Sequence, residues 1–134
     1  MKTKPLTLII IFFVITTLMS FKYSEKFVLD YYPQSQQLII PDHVKTIIDQ
    51  KCYDCHNTHS KSKKGKMKLN FDKLNNLKIY KLVGKLDNIA ETVTEGEMPP
   101  KKAIEENPSL KLTKDEISAI NSWANKYIEK FTGE

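Results

Sequence analysis

Cys52-Tyr53-Asp54-Cys55-His56 is the one stretch of this chain whose residue types and spacing prescribe a chemistry. Two thiols separated by two residues and followed at once by an imidazole form C-x-x-C-H, the sequence through which a c-type haem is attached. The thiols must add across two vinyl groups on one porphyrin edge, and two intervening residues let the chain turn so that both sulfurs reach it. The adjoining His56 then offers a ring nitrogen to the iron as proximal axial ligand. Cys52 and Cys55 are the only cysteines, so no disulfide framework exists.

Other chemistries of the same residues are weaker. A thioredoxin-like redox pair would open a helix in a β-α-β setting, and no strand pattern surrounds Cys52. A zinc site could recruit Cys52, Cys55, His56 and His59, but the four ligands are crowded and no second pair follows at finger spacing. A disulfide across two residues would be strained in a helical turn.

The second axial ligand has to come from elsewhere, and Met98 is the best candidate. Pro99 and Pro100 follow it and bias it towards extended backbone, which would hold its thioether on a stiff strap outside any helix. Met/His ligation suits an electron-transferring iron and raises its potential. Met98 could instead simply pack against the core. Met67, His43 and His59 are lesser candidates, His59 being too close in sequence to reach the opposite face of a haem easily.

The elements that must position these groups read as helices. Asp42 can cap a first helix with Val44, Ile47 and Ile48 on one face, running straight into Cys52. A polar loop, Asn57–Lys68, follows. Ile79, Leu82, Val83, Leu86, Ile89, Ala90 and Val93 recur at spacings of three and four, and Gly96 stops that helix at the position after its cap. The stretch GEMPPKKAIEENPS is too rich in proline for regular helix. Thr113 with Glu116 is a capping box opening a last helix, whose apolar face is Ile117, Ile120, Trp123, Ala124, Tyr127, Ile128 and Phe131. The pattern predicts an all-α domain of three to four helices over residues 41–132.

Residues 1–21 are a different material. Lys2 and Lys4 precede an uncharged, apolar run from Pro5 to Phe21 that would cover about 25 Å as a helix. This reads as a signal peptide or an uncleaved N-terminal membrane anchor, with membrane contact through residues 5–21. Residues 22–40 lack a sustained period and read as a tether. The domain is therefore expected outside the cytoplasm, in a bacterial periplasm, where covalent haem attachment takes place.

All 21 basic residues are Lys, for a net charge of +5. Without arginine, nucleic-acid recognition is a poor fit. Lys61, Lys63, Lys64, Lys66 and Lys68 begin soon after His56. They could be a solvated loop or a positive rim that steers an acidic redox partner.

The order of features resembles a small class I c-type cytochrome, particularly the short haem-binding domains of exported bacterial proteins. The residues that carry the resemblance are CYDCH (Cys52 to His56), KLNFDKL (Lys68 to Leu74), the strap EMPPK (Glu97 to Lys101) and the closing helix LTKDEISAINSWANKY. The likeness covers roughly residues 42 to 130. It implies helices packed around one covalently attached haem, with the first and last helices crossing so that Val44 and Ile48 meet Trp123 and Tyr127. One departure is the Lys-rich loop, which lacks the apolar residues that often cover a haem edge. Trp123 and Tyr127 read as core, although their polar ends could serve haem propionates.

The function expected is that of an electron carrier with one haem c and no catalytic residue. The alternative is a haem-based sensor or enzyme whose sixth iron position is open. An exported zinc-stabilised interaction module is a third class, viable only without haem.

Overall fold

The computed structural model describes residues 37–133, in which five α-helices and two short 3-10 turns follow one another. They are α1 (Asp42–Lys51), α2 (Lys63–Lys68), a turn at Phe71–Asn76, α3 (Ile79–Thr94), α4 (Lys101–Glu106), a turn at Pro108–Leu110 and α5 (Lys114–Thr132). No strand occurs among the described residues, and the fold is all-α. The export segment and residues 22–36 of the tether lie outside the described residues.

The periodic faces dictate the packing. Leu82, Leu86, Ile89 and Val93 of α3 are buried together with Ile120, Trp123, Ala124, Tyr127 and Phe131 of α5, and these two helices form the main interface. Val44, Ile47 and Ile48 join the same core as α1 packs on α5. Burying each such side chain is worth about 1.5–3 kcal/mol, more than any single surface contact. α5 starts on the expected capping box: the Glu116 N–H donates to Thr113 Oγ1 (3.2 Å) and the Thr113 N–H to the Glu116 carboxylate (2.7 Å). α3 ends at Gly96, whose φ of 72° needs the left-handed freedom of glycine.

The same Glu116 carboxylate ties α5 to α1. Lys51 Nζ donates to it (2.8 Å) and to the Lys111 carbonyl (2.8 Å), with both side chains largely covered. Burial alone would raise the Glu116 carboxyl. The bonds from Lys51 and Thr113, with the Lys51 charge, outweigh it and hold the group below its ordinary value.

Four sequence expectations need correction. Pro41, not Asp42, occupies the N-cap of α1, with no side-chain cap. Asp42 is the first helical residue, where its charge complements the helix dipole. The loop after His56 contains α2, which has no apolar period to betray it and relies on the Ser62 cap. The Pro-rich stretch contains α4, because Pro100 stands at its N-cap and Pro108 beyond its end, where neither breaks a helical bond.

The fourth concerns residues 37–40, read as tether, which belong to the folded unit that begins at Gln37. Leu38 is buried at 3% exposure. Its N–H donates to Asn75 Oδ1 (2.8 Å), and Asn75 Nδ2 donates to its carbonyl (3.1 Å). Next to it, the Ile39 N–H donates to Tyr127 Oη (3.1 Å) and Trp123 Nε1 donates to the Ile39 carbonyl (3.0 Å). The polar ends of Trp123 and Tyr127 are thus engaged by the Ile39 backbone.

Candidate functional site

α1 delivers the cysteines as a continuation of its own winding. The Cys52 and Tyr53 N–H groups both donate to the Ile48 carbonyl, at 2.9 and 2.8 Å. The Cys55 and His56 N–H groups return to the Cys52 carbonyl, each at 3.1 Å, and the His56 N–H also reaches the Tyr53 carbonyl at 3.0 Å. The five motif residues are therefore one wound turn rather than an open loop. Both thiols are free; Cys52 is half-buried and Cys55 exposed. Burial, reinforced by Cys55 and opposed by the Lys51 charge, pushes the Cys52 thiol up to about 11.

His56 is held by backbone. Its Nδ1 lies 3.0 Å from the Gly65 carbonyl and 3.2 Å from the Leu69 carbonyl. Two acceptors at one ring nitrogen require that nitrogen to carry the proton, which leaves the Nε2 lone pair for a metal. The His56 carbonyl accepts from the Phe71 N–H (2.9 Å), and the Phe71 ring stands edge-on to the imidazole at 6.4 Å and 86°. α2 is therefore a strut. Ser62 Oγ accepts from the Gly65 N–H (3.1 Å), and Ser60 Oγ, in a buried residue, accepts from the Ser62 N–H (3.0 Å).

Gly65 can stand here because it has no side chain: a Cβ would meet the Cys55 carbonyl oxygen at 2.5 Å and Ser62 Oγ at 2.8 Å. On the rim, Asp72 accepts from the Tyr53 hydroxyl inside the motif and from the Thr58 N–H beyond it (2.9 Å). The Tyr53 bond, then the Thr58 bonds, hold the Asp72 carboxyl below its ordinary value, and the same bond raises the Tyr53 phenol.

Met98 lies on a separate strap after α3. The Glu97 and Met98 N–H groups both donate to the Thr92 carbonyl, at 2.9 and 3.1 Å, Pro99 is buried, and the Met98–Pro99 peptide is cis. The Met98 side chain is 36% exposed, whereas Met67 is 82% exposed. His43 and His59 are exposed on the surface.

Gly65, Leu69 and Asp72 escaped the sequence reading. A lone glycine inside a run of lysines was the available signal for the first. Backbone carbonyls leave no sequence signal at all, and an aspartate in a polar stretch is unremarkable until its partners are known.

The donor set fits a haem. It comprises two free thiols on one turn and an imidazole with its tautomer fixed and Nε2 available. Among the described residues no group of three or more His, Cys, Asp or Glu side chains stands in a metal-holding arrangement, so the zinc reading lacks a donor set. A family model described as a haem-binding domain matches residues 58–126, just over half of the 134-residue chain, starting just past His56 and taking in Met98. No curated protein and no solved structure matches the chain.

Proposed function

The chain belongs to the haem-binding domain family, and on that premise we propose that it holds one haem c and passes single electrons outside the cytoplasm. The observation that carries the proposal is the His56 imidazole, fixed by two carbonyls beside two free thiols. When bound, haem supplies a one-electron couple between ferrous and ferric iron. Cys52 and Cys55 provide the thiols for two thioethers, which makes the attachment permanent. His56 would provide Nε2 to the iron, and donation from its Nδ1–H to the Gly65 and Leu69 carbonyls would raise the basicity of Nε2. Met98 would provide a second ligand, a thioether, from its strap, which would leave the iron no open position. The apolar run Pro5–Phe21 supports export and tethering at the inner membrane, and among the described residues no helix is long and apolar enough to cross a membrane. The lysines of 61–68 favour an acidic redox partner.

A denaturing gel stained for haem tests the attachment. The parent protein should retain haem, and a Cys52→Ala, Cys55→Ala variant should not; retention by the variant refutes the thioethers. Met98→Ala should abolish the near-red sulfur-to-ferric band, lower the potential and admit carbon monoxide, with Met67→Ala as the silent control. An unchanged spectrum in Met98→Ala, with carbon monoxide bound by the parent, would favour the sensor reading.

A further inference from the structure

The lysines after His56 do not form one uniform surface. Lys66, Lys68, Lys73 and Lys85 rim a groove between α2, the Phe71–Asn76 turn and α3, with Leu74 and Leu77 below, Met67 beside them, and Thr58 and Asn70 at its edge. No acidic residue lines it. Lys85 is committed, because its Nζ donates to the Lys68 carbonyl and so pins the wall of the groove to α3. Lys66, Lys68 and Lys73 pair with no carboxylate among the described residues. Met67 is the most exposed large apolar side chain among the described residues, and it projects amid these charges.

We propose that this groove is the docking site for an acidic segment of a partner protein that carries one apolar side chain into the space beside Met67 and Leu77. This rests on the electron-carrier reading and adds what that reading leaves open: which lysines are used and what the partner must present. The groove is complementary to such a segment on two counts. Three unpaired ammonium groups around one concavity favour carboxylates and repel basic segments, and they draw an acidic partner in over a distance set by salt. An apolar floor next to an exposed methionine rewards a buried side chain, and the adaptable thioether can close over it. A fully acidic segment would satisfy the first count only, and a neutral apolar one only the second. The location also suits electron exchange. The groove's wall is the segment whose Gly65 and Leu69 carbonyls hold the His56 ring, so a partner seated there lies against the backbone that carries the proximal ligand.

The haem-loaded full chain in its reduced state is titrated with a defined probe. The probe is an acetylated, amidated eight-residue peptide of Glu and Asp with one central Phe, and its controls replace every acid by its amide or the Phe by Ser. The acidic Phe peptide should bind and shift the backbone amide resonances of Lys66–Lys68, Lys73 and Leu77. Each control should bind about tenfold more weakly. Lys66→Glu with Lys73→Glu should weaken binding by at least about tenfold, and Met67→Ser should abolish the preference for Phe over Ser. The proposal is overturned if the acidic peptide fails to bind, binds no better than its amide counterpart, or shifts resonances centred on Lys61 and Lys63 or on the strap instead. Loss of haem in the Lys66→Glu, Lys73→Glu variant also overturns it, because the groove would then belong to the cofactor's own housing. Electron exchange with ferricyanide, measured without peptide, separates the two readings. Exchange without peptide binding refutes the groove alone, while absence of exchange refutes the carrier.

Discussion

The two places from which iron ligands would come are built on different principles. The His56 side is over-determined: five motif residues wound on α1, an imidazole fixed by two carbonyls, and a strut that closes against the Cys55 carbonyl with no room for a methyl group. The Met98 side is a short strap held by two backbone bonds to a single carbonyl, with its side chain over one-third exposed. The difference teaches how one small domain can divide its labour. A side chain fixed by several independent contacts is held ready by the protein alone, whereas one on a lightly held strap is only delivered to a neighbourhood.

The contrast breaks most directly at Gly65. Gly65→Ala forces a Cβ against the Cys55 carbonyl and should cost about 2–3 kcal/mol of stability, read from urea unfolding of the haem-loaded protein. An unchanged midpoint would mean that α2 is not a strut. Next in size, Glu116→Gln removes the carboxylate shared by Lys51 and the α5 cap and should cost about 1–2 kcal/mol at pH 7. Because folding lowers the Glu116 pKa, its contribution is fully present above the ordinary value of 4.5 and is lost as pH falls through the folded value. The gap between parent and variant should therefore close below about pH 4.5, and a gap independent of pH would remove the charge from the account.

Smaller still is the same glycine substitution made where nothing is close. Gly84 lies within α3 with no atom near the place of a Cβ, so Gly84→Ala should stabilise the domain by about 0.5–1 kcal/mol. Opposite signs at Gly65 and Gly84 sharpen the comparison; like signs would dissolve it. Smallest in stability is Met98→Ala, with a change in unfolding free energy under about 0.5 kcal/mol in the haem-free chain, because over one-third of the residue is in solvent. A loss above about 2 kcal/mol would return Met98 to the core.

The C-x-x-C-H motif was legible because covalent attachment at two neighbouring points demands contiguous residues. The faces of α1, α3 and α5 were legible because burial imprints a helical period on the chain, and the capping box is a local signal that needs no tertiary knowledge. α2 was illegible for the complementary reason. Lys63–Lys68 buries nothing, and its purpose lies in one carbonyl whose partner is the His56 ring. The entry at residues 37–40 escaped for another reason: its hydrogen bonds go to Asn75, Trp123 and Tyr127, and neither end of such a bond announces the other. The lack of a sustained period read this segment as tether, although Leu38 is buried almost completely.

That entry has a mechanical consequence. Tension on the chain ahead of Gln37 would meet the two hydrogen bonds of Asn75 to Leu38 and the Trp123 and Tyr127 bonds to Ile39 before it reached α1. The pull would pass into α5 and the Phe71–Asn76 turn rather than into the turn that bears Cys52 and Cys55. Four hydrogen bonds and one buried leucine would thus work as a strain relief, taking up such a pull before it reached the turn of Cys52 and Cys55.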